Sequence, residues 1–162
     1  MDKIIFLDID GVLNVIPKKW DKYGGQFHKE FENNLKYLIK KTNAKIVISS
    51  SWRIDGLQVM QNMWIDRKLP GEVIDITPIS RFMEKDEKDG FNRGYEIKHW
   101  LDKNPTKNYV IIDDDIDMLP EQLNNFVKTS DNIEHDDCID IGYGLTKKCT
   151  EQAILILNKN YE

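Results

Sequence analysis

Carboxylate and hydroxyl side chains follow three short apolar segments of the 162-residue chain. The first segment runs into Asp8-Ile9-Asp10-Gly11, the second into Ser49-Ser50-Ser51, and the third into Asp113-Asp114-Asp115. If these clusters meet, burying their carboxylates without a counter-ion would cost several kcal/mol per charge. A divalent cation relieves this repulsion, and a ligand set made only of oxygen favours Mg²⁺ over zinc.

The two aspartates of the first cluster are separated by one residue. In an extended chain, Asp8 and Asp10 would point to the same side, and Gly11 allows the backbone to turn directly after them. Such a turn would bring both carboxylates around one ligand and expose backbone N–H groups to an anion. One carboxylate could then attack while the other moves a proton.

The segments that must position these clusters alternate between strand and helix patterns. Short apolar runs are typical of buried strands, and apolar residues at i, i+4 and i+7 predict amphipathic helices. Strands are predicted over residues 3–7, 44–48, 73–77, 109–112 and 126–129, and helices over 29–41, 57–64, 95–102 and 146–158. This order predicts an α/β fold of three layers, Rossmann-like, with a mostly parallel sheet that binds ligands at its carboxyl edge.

Charge is distributed unevenly along the chain, whose formal net charge is −5. Residues 113–140 contain ten acidic residues and one basic residue, whereas residues 14–53 contain nine basic and three acidic residues. Both segments could simply be solvated surfaces. The functional alternative is a cationic approach path for an anionic substrate, beside an acidic pocket that needs a cation.

Composition excludes several classes of protein. No apolar run approaches the roughly 18 residues that span a bilayer, and the acidic start of the chain is unlike a signal peptide. The two cysteines, Cys138 and Cys149, have no metal-type spacing. We therefore expect a cytoplasmic protein with free thiols and no membrane attachment, which is a monomer or a weak oligomer.

Four segments resemble the motifs of the haloacid dehalogenase (HAD) superfamily, in the superfamily's order. IIFLDIDGVLN resembles the first motif, an apolar strand followed by Asp-x-Asp-Gly, and IVISSSWR resembles the second, a strand that ends in Ser or Thr. Arg93-Gly94 resembles the third, and VIIDDD resembles the fourth, a strand that ends in an acidic pair. Together with RGYEIKHWL and GLT, these segments are similar to the small HAD domain of Swiss army knife RNA-repair proteins.

The resemblance implies a role for each motif residue. Asp8 would be the nucleophile that forms an aspartyl-phosphate, with one carboxylate oxygen on Mg²⁺. Asp10 would be the general acid and base, with its backbone carbonyl on the metal. Ser50 would hold the phosphoryl group through its hydroxyl, and Arg93 would neutralise the phosphoryl charge, with Lys98 as the alternative cation.

Two motifs leave the register open by one residue. Ser49 is the alternative to Ser50. In the acidic run, Asp114 would be the second metal-bound carboxylate and Asp113 would hold the hydrogen bonds of the site, or the two roles are shifted by one position.

The sequence also predicts contacts or positions for four further residues. Gly11 and Arg53 are expected to contact the phosphoryl group, with a surface ion pair as the alternative for Arg53. Trp52 is expected to serve packing, and Asp117 to lie exposed on a helix.

Residues 1–162 are expected to form a single HAD-like phosphohydrolase domain with short insertions at 14–30 and 78–92. Neither insertion is long enough to fold as a cap domain, so the site would be open to large substrates. The predicted function is a Mg²⁺-dependent phosphomonoester hydrolase. A signalling receiver domain is excluded because only about 50 residues follow VIIDDD, half of what such a domain needs.

Phosphorylated polynucleotide ends are the expected substrate. Basic and aromatic residues are interleaved around the first insertion, namely Lys18, Lys19, Lys22, Arg53, Trp20, Tyr23, Phe27 and Trp52. Lysines beside exposed rings can follow a phosphate backbone while the bases stack. Alternatively, the rings cover the sheet and the protein is a metabolite or phosphoprotein phosphatase, or a binding module without catalysis.

Overall fold

A computed structural model describes residues 2–79, 93–129 and 144–159. In chain order, the elements are β1 (Ile4–Leu7), β2 (Trp20–Asp21), β3 (Gly24–Gly25), α1 (Lys29–Thr42), β4 (Lys45–Ile48), α2 (Leu57–Asp66), β5 (Val73–Ile76), α3 (Arg93–Lys103), β6 (Tyr109–Asp113), β7 (Phe126–Lys128) and α4 (Lys147–Leu157). Most of the predicted insertion 78–92 lies outside the described residues, as do Cys138 and the acidic residues between 130 and 143.

Five strands form one parallel sheet in the order β5-β4-β1-β6-β7. The chain moves outwards from β1 through β4 to β5, then crosses back to β6 and β7 on the other side of β1. This arrangement confirms the predicted parallel sheet and puts β1 at its centre. The first insertion contains a short antiparallel hairpin, β2–β3, outside the main sheet.

The central strands β1, β4 and β6 are buried on both faces, as expected for a parallel sheet covered by helices. Because side chains alternate along a strand, Ile5 and Leu7 pack with residues of α1, α2 and α4, whereas Ile4 and Phe6 pack with Trp100 of α3. Helices therefore cover both faces, and the predicted three-layer α/β fold is confirmed. None of the described helices has the length and apolar character needed to cross a membrane.

Helix α3 begins at Arg93, two residues before the start that periodicity predicts. Its first N–H is capped by a residue from beyond β6, because the Arg93 amide donates a 2.8 Å hydrogen bond to the Asp117 carboxylate. The Gly94 amide donates to the Asp117 carbonyl at 3.1 Å. The expectation that Asp117 is an exposed helical residue is wrong, since it lies half-buried outside any helix.

A buried ion pair joins α3 to the segment that leaves β4. Ser51–Asp55 forms a 3-10 turn directly after β4, and the Arg53 guanidinium lies 2.6 Å from the Glu96 carboxylate. Both side chains are almost fully buried. Arg53 also donates to the carbonyls of Ser50, Thr77 and Pro78, so its charge is held by the protein itself.

Replacing Glu96 by Gln would leave the Arg53 charge buried without a counter-charge. We expect Glu96→Gln to lower the free energy of unfolding by about 3 kcal/mol, the cost of breaking a buried ion pair on one side. Asp102→Asn is the matched control on the same helix, because it removes the exposed pair between Lys98 and Asp102. The control should cost less than about 1 kcal/mol in urea unfolding. Equal losses for the two variants would contradict this account of α3.

Candidate active site

Three carboxylates meet where the central strands end. Asp8 follows β1 directly, while Asp113 ends β6 and Asp114 comes next, and β1 and β6 are neighbours in the sheet. Each of the three offers an oxygen, and these oxygens all lie within 4.8 Å of one another. In the described ranges, no other group of at least three acidic, histidine or cysteine side chains could hold a metal ion. An oxygen-only set of this kind fits Mg²⁺.

Burial makes it unfavourable for the carboxylates of this group to be ionised. Asp8 is 5% exposed and Asp113 is 1% exposed. Loss of hydration raises the pKa of Asp8 to about 7 and the pKa of Asp113 to about 8, and the neighbouring Arg93 charge only partly counteracts this. The two carboxylates can both be ionised near neutral pH only with more positive charge beside them, which a bound divalent cation would supply.

Arg93 lies at the edge of the carboxylate group. Its guanidinium is 3.5 Å from an Asp113 oxygen, 3.9 Å from an Asp8 oxygen and 4.0 Å from a Glu96 oxygen. Its Nη1 atom is buried and makes no hydrogen bond, and the same is true of Oδ2 of Asp113. A cation and a carboxylate oxygen with unused hydrogen-bonding capacity are what an oxyanion and a metal ion would engage.

Asp10 is not part of the group formed by Asp8, Asp113 and Asp114. The chain turns tightly after Ile9, whose carbonyl accepts hydrogen bonds from the amides of Val12, Leu13 and Asn14. As a result, Asp8 points into the buried group while Asp10 is exposed. Each Asp10 oxygen accepts one hydrogen bond.

The two donors to Asp10 come from different parts of the chain. The Asn14 amide donates to Oδ1 at 2.7 Å, and the Trp52 indole donates to Oδ2 at 2.9 Å. Trp52 therefore does more than the packing that sequence reasoning assigned to it. The sequence predicted that this segment meets the first motif through Ser50, and it gave no indication that the Trp52 indole would contact Asp10.

Gly11 is required where the turn passes the acidic run. Its φ angle is +74°, which favours glycine, and a Cβ built there would lie 2.4 Å from Oδ2 of Asp114. The Gly11 carbonyl accepts a 2.8 Å hydrogen bond from the buried Thr129 hydroxyl. Glycine thus lets the turn and the Asp114 carboxylate approach each other closely.

Ser50 is the serine that interacts with the carboxylate group. Its side chain lies near enough to Asp8 to lower the pKa of that carboxyl, against the larger effect of burial. The Ser50 hydroxyl oxygen accepts the Trp52 backbone N–H at 3.3 Å. Ser49 is fully buried, and its hydroxyl has no hydrogen-bond partner in the structure. The geometry thus favours Ser50 over Ser49 at the motif position.

Arg53 and Lys98 are engaged elsewhere. Arg53 is only 3% exposed and its guanidinium bonds to protein atoms, so the geometry does not support the expected phosphate contact or the alternative of a surface pair. Lys98 forms an exposed ion pair with Asp102 at 2.7 Å. Arg93 is the cation that the structure brings to Asp8.

Comparison with protein-family models identifies the family of the chain. The family model described as the HAD domain in Swiss Army Knife RNA repair proteins matches residues 4–133. A solved structure described as a HAD superfamily (subfamily III A) hydrolase from Legionella pneumophila is 13% identical, with a TM-score of 0.45, and the match covers 98% of this chain and 85% of that chain. No curated protein matches the sequence. Since the family model spans most of the chain and all four motifs, the chain belongs to the HAD-domain family of Swiss Army Knife RNA repair proteins.

Proposed function

We propose that the protein is a Mg²⁺-dependent phosphomonoester hydrolase that works through an aspartyl-phosphate. The observation that carries this proposal is the group formed by Asp8, Asp113 and Asp114, with the Arg93 guanidinium beside it. It combines a carboxylate nucleophile, a cation site and an anion-binding arginine at the carboxyl edge of the sheet, where α/β folds bind ligands. Family membership supports a hydrolase of the HAD type.

The chemistry divides into two displacements. An Asp8 oxygen attacks phosphorus, the ester bond breaks, and Asp10 gives a proton to the departing alkoxide or phenoxide oxygen. The phosphoryl group is then an acyl phosphate on Asp8. In the second displacement, Asp10 takes a proton from the attacking water, and inorganic phosphate leaves as the Asp8 carboxylate is restored.

Arg93 and Ser50 would hold the phosphoryl oxygens during both displacements. The planar Arg93 guanidinium has an unused Nη1 and lies beside Asp8. The Ser50 side chain lies near Asp8, so its hydroxyl can turn to an oxygen of the transferring group. Donors preorganised around developing charge typically contribute about 10²–10³-fold each in rate.

The acidic group would hold the metal ion. Asp8, Asp113 and Asp114 supply carboxylate oxygens, and the sequence motif adds the backbone carbonyl of Asp10. Bound Mg²⁺ would neutralise negative charge on the carboxylates and on the phosphoryl group. Both aspartates of the acidic run take part in the group, so Asp113 and Asp114 are both candidate ligands.

Polynucleotide ends are the substrate class that we favour, and the first insertion supports it only in part. Lys18, Lys19 and Trp20 are exposed on the hairpin segment, with Trp20 71% exposed. Phe27, by contrast, is a buried core residue, and Lys22 is paired with Asp66 at 2.7 Å. The sequence-based set of stacking and phosphate-binding residues therefore loses Phe27, and Lys22 remains exposed but is paired with Asp66.

A cavity of about 280 Å³ lies beside this hairpin. The cavity is lined by two aromatic residues, three apolar residues and two charged residues, namely Tyr23, Trp52, Ile54, Val59, Met60, Lys22 and Asp55. Aromatic and apolar walls beside a lysine suit a base that stacks while its phosphate remains in solvent. The cavity adds a second reason to test nucleic-acid substrates.

The nucleophile has the most direct test. Asp8→Asn keeps the shape of the side chain and removes the attacking anion, so turnover of an aryl phosphate with Mg²⁺ should fall to background. Asp115→Asn is the control in the neighbouring acidic run, since Asp115 is exposed and contacts Asp113 through its backbone amide. The control should keep most of the wild-type rate. Turnover by Asp8→Asn above a few per cent of wild type, with circular dichroism unchanged, would show that the mechanism is wrong.

Metal binding should depend on pH in a defined direction. The raised folded-state pKa values of Asp8 and Asp113 mean that the folded protein retains protons that the unfolded chain has lost. The metal-free protein should therefore lose stability as the pH rises from about 4 towards 8. Mg²⁺ replaces those protons, so its increase in Tm should be larger at pH 8 than at pH 6.

Thermal unfolding with and without Mg²⁺ at the two pH values measures this effect. Asp114→Asn should abolish most of the Mg²⁺-dependent shift, whereas the control Asp115→Asn should retain it. A shift that is equal at both pH values, or that survives in Asp114→Asn, contradicts the assigned metal site.

The substrate proposal predicts a salt effect. A phosphorylated single-stranded oligonucleotide should be a better substrate than a mononucleotide, and its KM should rise steeply with salt. Lys18→Ala with Lys19→Ala removes up to two phosphate contacts, which should lower the slope of log KM against log salt by about 1.4.

Lys36→Ala with Lys40→Ala is the matched control, because it removes the same charge from the exposed side of α1. The control should leave the slope unchanged, and both double variants should hydrolyse an aryl phosphate normally. A salt-independent preference for a small ester would replace this substrate class with metabolites, and an absence of turnover on any ester would indicate a binding module.

A further inference from the structure

We propose that Trp52 is a positioning residue that aims the Asp10 carboxylate at the leaving oxygen, and that the β2–β3 hairpin holds Trp52 in place for this purpose. The inference rests on the proposed function, because it assigns a role in proton transfer to Asp10. It goes further because it assigns the orientation of Asp10 to Trp52, in the second motif, and to the hairpin of the first insertion. The motif roles that the resemblance implies include neither contribution.

The contact itself is direct. The Trp52 indole donates a 2.9 Å hydrogen bond to Oδ2 of Asp10, and the Asn14 amide donates to Oδ1 at 2.7 Å. An exposed aspartate would otherwise sample several rotamers. One donor on each oxygen fixes the plane of the carboxylate, and a carboxylate still has lone pairs left to exchange a proton. Proton transfer demands this kind of fixed geometry.

Hairpin residues hold the Trp52 ring. Gly24 of β3 lies so close that an added Cβ would be 3.2 Å from the Trp52 ring, and Phe27 packs against it with the ring centroids 5.8 Å apart. Phe27 is itself anchored in the core, 6.3 Å from the ring of Trp64 in α2. The indole is therefore wedged between the hairpin segment and the body of the domain.

Arg67 fastens the hairpin to the end of α2. Its guanidinium donates two hydrogen bonds to the Asp21 carboxylate, at 2.7 and 2.9 Å, and a third to the Gly24 carbonyl at 3.3 Å. The same guanidinium lies 4.7 Å from the Phe27 ring centroid and 5.7 Å from that of Trp52. This bidentate pair and its ring contacts form a continuous set of contacts from α2 through the hairpin to Trp52 and Asp10.

Trp52→Phe removes the indole N–H and keeps an aromatic ring in the wedge. A general acid that is wrongly oriented slows the reaction most when the leaving group is poor and needs a proton. We therefore compare kcat/KM for an alkyl phosphate, which has a poor leaving group, with that for a nitrophenyl phosphate, which has a good one. The alkyl phosphate should lose roughly tenfold or more, the effect of one hydrogen bond to a charged group, and the nitrophenyl phosphate much less. Asn14→Ala should change the ratio in the same direction, which keeps the test valid if Trp52→Phe folds poorly.

Trp100→Phe is the matched control. The Trp100 indole donates a 2.7 Å hydrogen bond to the Asp75 carboxylate. This is also a tryptophan–aspartate pair, but Asp75 is not part of the group formed by Asp8, Asp113 and Asp114. Trp100→Phe can lower stability as Trp52→Phe does, but its ratio of kcat/KM for the alkyl phosphate to that for the nitrophenyl phosphate should stay at the wild-type value. A purely structural role of Trp52 predicts equal losses on both esters, and that result overturns the inference.

A second readout does not depend on turnover. The protein has four tryptophans, so a nitrogen-15 spectrum contains four indole signals, and Trp52→Phe identifies the one from residue 52. Asp10→Ala should shift that signal and increase its exchange with solvent, while the Trp100 signal stays unchanged. An unaffected Trp52 signal overturns the inference even if the enzyme is active. If the wild-type enzyme is active and Trp52→Phe leaves the ester ratio unchanged, the inference about Trp52 is overturned and the proposed function stands. If the wild type hydrolyses neither ester, the proposed function is overturned together with the inference.

Discussion

The cost of holding three carboxylates together, two of them almost fully buried, is the constraint on which this structure depends. Asp8, Asp113 and Asp114 offer oxygens within 4.8 Å of one another, and the first two are almost fully buried. Such a group repels itself, and burial raises the pKa of Asp8 and of Asp113. Only a very regular scaffold can hold it, and the central strands of a parallel sheet provide one by ending side by side.

Much of the surrounding architecture meets that cost. Arg93 brings one positive charge, and its position depends on Asp117, which caps α3, and on the buried Arg53–Glu96 pair that ties the helix to the exit of β4. Gly11 lets the first turn approach Asp114 without a side chain in the way. The remaining excess of negative charge is the physical reason to expect a cation at this site, and the proposed phosphoryl transfer requires such a cation beside Asp8.

The fold was predictable because its signals are local. The apolar runs of β1, β4 and β6 and the spacing of α1 identified these elements to within one or two residues, and the strand-end aspartates followed directly. The start of α3 was less predictable, because its cap is Asp117 from another part of the chain.

The site was predictable where chemistry coincides with a motif. Asp8, Ser50, Arg93 and the acidic run lie together as the resemblance implied. Two adjacent residues in one segment have different environments that the sequence did not predict. Arg53 turns inwards to Glu96, whereas Trp52 packs against the core as expected and also donates to Asp10. Tertiary contacts, which the local sequence does not encode, determine which way each of these two side chains points.

A covalent phosphoryl group on Asp8 is the central claim, and chemical trapping measures it most directly. Borohydride reduces an acyl phosphate to the alcohol, so enzyme quenched during steady turnover with Mg²⁺ should contain homoserine at position 8 in its tryptic peptide. Enzyme without substrate should show unmodified Asp8. Steady hydrolysis of a phosphate ester with no reduced residue at position 8, or with the reduced residue at another aspartate, would contradict the account.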